Sequence, residues 1–221
     1  MRTLTLCAAL LAAAAPLAAQ GHQHNHDPDR PAAGGGALPA GWHARPDRAQ
    51  ADMAGLRFAS MPPGWHVTTG PAVILWRPQD TATGEFTATA TLHQTKAPAH
   101  PEAYGLFIAG SGLETAPDYM YFLVRGDGKY MVRHRASNGD LHTIVDWTES
   151  PAVHRQNAAG AATNALAVEG GPWGVRFKVN GTQVGEWLKR DVPYLKADGI
   201  VGLRVNHNLD VHVSDFTLTR R

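Results

Sequence analysis

The chain has 221 residues, with 20 Lys and Arg against 19 Asp and Glu, a formal net charge of +1. That balance excludes a nucleic-acid binder or membrane anchor working through a strong basic excess. A single cysteine, Cys7, excludes an intrachain disulfide, so stability must come from a buried core; about 150 residues can hide roughly 70% of their unfolded surface without staples.

The first segment is Arg2 followed by "LTLCAALLAAAAPLA". A positive residue, a short apolar run and small residues at its end make the pattern of a secretory leader, residues 1–19. Cleavage is expected after Ala19, with Leu17 and Ala19 at the two recognition positions. The run is too short to cross a bilayer comfortably, and no later stretch approaches the roughly 20 apolar residues that a span needs. Cys7 would leave with the leader. The expectation is an exported protein, secreted or periplasmic, whose mature chain has no thiol.

Residues 20–52 are rich in Gly, Pro, Ala, Asp and His and show no sustained period, which predicts a flexible linker. Within it, "GHQHNHD" carries His22, His24 and His26. Imidazoles at alternate positions can chelate copper, nickel or zinc weakly. Cleavage after Ala19 would also start the chain at Gln20-Gly21-His22. Its free amine, two deprotonated amides and third-position imidazole suit square-planar Cu(II) or Ni(II), unless Gln20 cyclises.

From residue 53 to 221 a single β domain is expected. Short runs rich in Val, Ile, Thr, Tyr and Phe recur between turn residues. In chain order they are "LRFAS", "WHVTT", "AVILWR", "EFTATATLH", "YGLFIA", "YMYFLVR", "KYMVRHRA", "HTIVDW", "NALAVEG", "GVRFKVN", "TQVGEWL", "GIVGLRVN" and "DVHVSDFTLT". Their spacing is that of a sandwich or barrel. No run offers a convincing amphipathic helix. Asn180-Gly181 in "FKVNGTQV" is the strongest hairpin signal, because both turn positions need positive φ. Asn138-Gly139 and Gly126-Asp127-Gly128 mark two more hairpins. Consecutive hairpins without crossover helices exclude a parallel α/β fold.

The order "YGLFIAGS", "DYMYFLVRGDGKYMVRHRA", "IVDWTESPAV", "NALAVEGGPWGVRFKVNGTQV", "DGIVGLRV" and "VHVSDFTL" resembles the concanavalin A-like lectin/glucanase jelly roll. The resemblance is to its laminin-G-like and 3-keto-disaccharide-hydrolase-like branch, and covers about residues 56–221. It implies an all-β antiparallel sandwich with one concave sheet, and sugars as the commonest ligands. "GLRFASMPPGWHV" departs from the opening segment of the hydrolase-like relatives.

Period-2 alternation divides the strands into two faces. Met120, Phe122 and Val124 form one face of "YMYFLVR", with Tyr130, Val132 and His134 on the next strand. Tyr104, Leu106 and Ile108 continue it, as do Phe86, Ala88, Ala90 and Leu92. Taking these as core leaves His93, Phe107, Tyr121, Arg133 and Arg135 on the opposite side. Aromatic area combined with guanidinium donors suits a sugar or uronate. These five are the candidate ligand-binding residues; a covering loop, or Arg stems lying across the rings, is the structural alternative.

No catalytic residues are assigned. Glycoside hydrolysis needs two carboxylates about 5–9.5 Å apart, and no E-x-D-x-E run occurs; Asp146 and Glu149 are the nearest pair. No nucleophile elbow, P-loop or His-Glu-x-x-His is present. His134 and His142 face each other across a turn with Ser137 and Asp140, a weak basis for a triad. No calcium cluster is legible. Arg125-Gly126-Asp127 and the sequon Asn180-Gly181-Thr182 are explained by turns. The function expected is non-catalytic binding of a carbohydrate or other polar ligand. The alternatives are a glycoside-acting enzyme, such as a 3-keto-glycoside hydrolase or lyase, and a structural or protein-interaction domain of the cell envelope.

Overall fold

A computed structural model of the chain describes residues 36–221. The expected leader and His22, His24 and His26 lie outside the described residues. The strands are β1 His43–Pro46, β2 Arg57–Ser60, β3 Trp65–Thr68, β4 Val73–Ala82, β5 Phe86–Gln94, β6 Ala103–Ser111 and β7 Asp118–Arg125. There follow β8 Lys129–Arg135, β9 Leu141–Glu149, β10 Ala162–Gly171, β11 Gly174–Val179, β12 Thr182–Leu188, β13 Gly199–Val205 and β14 Asp210–Arg220. The thirteen runs marked out by alternation are β2 to β14.

They pair as two antiparallel sheets of seven strands each. The first has the order β1-β4-β13-β6-β7-β8-β9, the second β12-β11-β10-β5-β14-β3-β2. The inner faces meet in one core, with Leu75, Leu106, Phe122 and Val132 from the first sheet and Leu92, Val168, Phe177 and Val213 from the second. Phe122 and Phe177 touch across the layers with ring centroids 5.3 Å apart. Burying each such side chain contributes about 1.5–3 kcal/mol. The assigned core residues of β5, β6 and β7, with Tyr130 and Val132 of β8, all belong to this cluster.

The domain starts earlier than the linker boundary expected at residue 52. β1 pairs with β4, His43 opposite Trp76, and Trp42 is 6% exposed in the core. Four residues ending in proline give no period to read, and proline is tolerated there because β1 is an edge strand. Pro78 lies within β4 where the register against β13 jumps, Gly202 opposite Trp76 but Ile200 opposite Thr81, so the bulge absorbs its missing donor.

The Asn180-Gly181 turn has φ of 49° and 81°, the two positive values the hairpin requires. At Asn138-Gly139 only the glycine is positive, at 94°, and Asn138 instead accepts the Asp140 amide through its side chain.

Candidate functional site

The outer face of the first sheet is built from one cross-strand row. It runs His43, Trp76, Gly202, Phe107, Tyr121, Arg133 and Thr143, each opposite the next. Arg135 lies two residues along β8, opposite Tyr119. Four of the five candidate residues, Phe107, Tyr121, Arg133 and Arg135, are therefore brought together. His93 is not with them. It lies on β5 of the second sheet, between Thr163 and His212, with Nδ1 2.7 Å from the Thr163 hydroxyl. Chain order placed β5 beside β6, but the chain changes sheets between them, and the whole core intervenes.

The aromatic residues are not an open platform. Phe107 is fully buried and Tyr121 is 3% exposed, within a second apolar cluster that includes Ile74, Trp76, Tyr119, Leu123 and Met131. Phe107 lies flat across the sheet because Gly202 has no side chain; a Cβ there would stand 2.4 Å from its ring. Phe107 packs on Tyr119 at 5.2 Å, and Tyr119 on Tyr121 at 5.7 Å.

Charged groups lie against this layer. Arg204 of β13 donates from its two terminal nitrogens to Asp47, at 2.7 and 2.5 Å, and to the Tyr119 hydroxyl at 2.8 Å. Its guanidinium carbon is 4.8 Å from the Tyr121 ring centre. Burial alone would raise the Asp47 carboxyl, but the Arg204 charge and hydrogen bond hold it below the usual carboxylate range. Burial pushes the Tyr119 hydroxyl up to about 12. Arg133 reaches Asp146 at 3.4 Å. Arg125 stacks 4.3 Å over the half-buried Trp147 and closes on Asp127, so the Arg-Gly-Asp tripeptide is an internal pair. Arg135 forms no hydrogen bond or ion pair among the described residues.

Asp47, Arg204 and Trp147 were not read from the sequence as site residues. Arg204 alternates with the core residues Leu203 and Val205, so period 2 alone places it outward. Trp147 reaches this face through register shifts on β9, which alternation does not reveal. Asp47 carried no signal in its segment.

The carboxylates considered for catalysis take separate partners, Asp146 with Arg133 and Glu149 with Arg155. His134 and His142 do meet, Nδ1 to Nδ1 at 3.1 Å, but the third member is Asp118, 3.1 Å from His134 Nε2. On the second sheet, a cleft of about 370 Å³ is lined by Glu85, Glu169, Trp173, Arg176 and Glu186. There Arg176 is committed to Glu169 and Glu186. Among the described residues no group of three His, Cys, Asp or Glu is placed to hold a metal, and no helix is long and apolar enough to cross a membrane.

No family model matches the sequence, and no curated protein matches it at a significant level. Solved structures do match. A carbohydrate-binding module from Bacillus subtilis superposes with TM-score 0.55 at 11% identity, over 80% of this chain and 94% of that one. A Bacillus subtilis protein of unknown function with a galectin-like fold gives 0.53 at 13%, over 81% and 90%. A putative glycosyl hydrolase from Parabacteroides distasonis gives 0.51 at 9%, over 74% and 90%. The fold is a concanavalin A-like jelly roll. At such identities the likeness concerns the jelly roll alone, and the site has to be argued from this chain's own residues.

Proposed function

We propose that this protein is an exported, non-catalytic carbohydrate-binding domain whose ligand lies on the outer face of the first sheet, over β7, β8 and β9. One observation carries the reading: an outward sheet face holds a second apolar cluster and is overlain by arginines that are incompletely paired. Guanidinium donors match pairs of sugar hydroxyls, and the half-buried Trp147, stacked under Arg125, leaves an apolar edge beside them. The matches to a carbohydrate-binding module and a putative glycosyl hydrolase support the same reading at the level of fold. Binding is favoured over hydrolysis because Asp47, the carboxylate buried at this face, is committed to Arg204 through both oxygens. The leader expected at residues 1–19 supports export.

The test is a glycan array with the mature protein, followed by calorimetry on any ligand found, for the native chain and for Arg133→Ala and Trp147→Ala. Retention of a glycan that either substitution removes, at unchanged melting temperature, supports the proposal. Native protein that retains no glycan, or variants that bind as well as it does, overturns it.

A further inference from the structure

The charges on this face do not balance. Beside the internal pair Arg125 and Asp127, three guanidinium groups, Arg133, Arg135 and Arg204, stand with two carboxylates, Asp47 and Asp146. Asp47 is committed to Arg204 through both oxygens. Asp146 touches Arg133 at 3.4 Å from a side chain that is 77% exposed, a loose contact that water and salt weaken. Arg135 has no ion pair among the described residues, although its charge is felt by Asp47 and Tyr119. The Nε atoms of all three arginines are buried without a hydrogen-bond partner, and Arg204 as a whole is only 7% exposed. Arg133 and Arg135 are only half-buried, so unlike Arg204 they can still meet an acceptor that arrives from solvent.

Arg133 and Arg135 are two residues apart on β8 and project to the same side, about 7 Å apart along the strand. Opposite them stand Arg133's partner Tyr121 and Arg135's partner Tyr119, both buried. A low-dielectric floor strengthens any charge placed above it. Two guanidinium arms at this spacing can converge on one carboxylate, each giving a charge-assisted hydrogen bond.

We infer that the ligand of this face is an acidic sugar, a uronate, whose carboxylate is held between Arg133 and Arg135 while its ring lies toward Trp147. This rests on the carbohydrate reading above and names the class of sugar. A neutral sugar would leave the Arg135 charge uncompensated. A small inorganic anion would engage the arginines but gain nothing from the indole.

The experiment is calorimetric titration of the mature full-length protein with oligogalacturonate, oligoalginate and hyaluronate oligosaccharides, each beside its methyl-esterified counterpart. The ester removes the charge and leaves the sugar intact. At least one acid should bind about tenfold tighter than its ester, and Arg135→Gln should remove that difference while Arg135→Lys keeps part of it. Raising the salt should weaken the acid and leave the ester unchanged. Acid and ester binding equally, with Arg135→Gln affecting neither, overturns the uronate inference and leaves a neutral-sugar site. Inorganic sulfate competing as effectively as the oligosaccharide also overturns it, in favour of a bare anion site. Failure of every acid while a neutral oligosaccharide binds refutes the acidic class alone; failure of all sugars refutes the carbohydrate reading with it. Melting temperatures within a degree or two of the native chain establish that the variants are folded.

Discussion

Arg204 and Asp47, 157 positions apart in sequence, form a two-point ion pair at 2.7 and 2.5 Å beside the rings of Tyr119 and Tyr121. The pair ties the segment after the edge strand β1 to the middle of the first sheet. It also fixes the tyrosine pair under β8, so the positions of Arg133 and Arg135 depend on a contact neither makes.

Removing one partner should cost far more than removing both. Asp47→Ala strands a buried guanidinium, and such losses run at about 3–5 kcal/mol. Asp47→Ala combined with Arg204→Met removes the charge as well and should recover most of that loss. Urea unfolding of the two variants is the measurement, and equal losses would show the charge is not the issue.

The domain should lose stability in acid. Burial opposes ionisation of Asp118, but hydrogen bonds from His134 and Lys196 hold its carboxyl below the usual range; Asp47 and Asp210 are held down likewise. A depressed folded value means that the unfolded chain takes up the proton first. The stabilisation is complete above the ordinary carboxylate range, about pH 4, and is lost as pH falls through the lower folded values. Urea midpoints recorded from about pH 7 down to about pH 3 should therefore fall steeply at the acid end. Asp118→Asn should flatten part of that slope.

Tyr121 should prove a stability residue first and a ligand residue second. It is 3% exposed and packs on Tyr119 and under Arg204. Truncating a buried aromatic to Ala costs about 3–5 kcal/mol, so Tyr121→Ala should lower the melting temperature well below that of Arg133→Ala. Tyr121→Phe keeps the ring and should stay close to native stability. Thermal melts of the three variants decide the order.

The strands were legible because inward and outward residues alternate, as in "EFTATATLH", where Phe86, Ala88, Ala90 and Leu92 enter the core and the threonines do not. What alternation cannot carry is which strands are neighbours. His93 was grouped with Phe107 because their strands are consecutive, whereas the chain crosses from one layer to the other between them. Nor does it say what lies over a face: Phe107 and Tyr121 point away from the core as expected, yet are sealed in a second apolar layer. Arg204, two residues after Gly202 in "GLRVN", is placed outward by alternation, but its partner Asp47 lies in a stretch with no period at all. An ion pair made by one sheet strand and one distant edge segment leaves half its residues unmarked.

Gly202 should be among the least replaceable residues of the first sheet, for a reason outside backbone flexibility. It is the third residue of the seven-residue row, on β13 between β4 and β6. A Cβ there would meet the Leu75 carbonyl oxygen at 2.4 Å and the Phe107 ring at 2.4 and 2.6 Å. The carbonyl belongs to the sheet backbone and cannot move freely, and the ring is fully buried, so neither contact relaxes cheaply. Overpacking of this kind costs about 1–3 kcal/mol. Gly202→Ala should therefore lower stability by at least that amount in urea unfolding. Adding Phe107→Leu clears the ring contact but leaves the carbonyl contact, so the double variant should recover less than the ring's share. A Gly202→Ala protein as stable as the native chain would mean that Phe107 does not lie across β13, and the floor beneath Tyr121 and Arg133 would need a different arrangement.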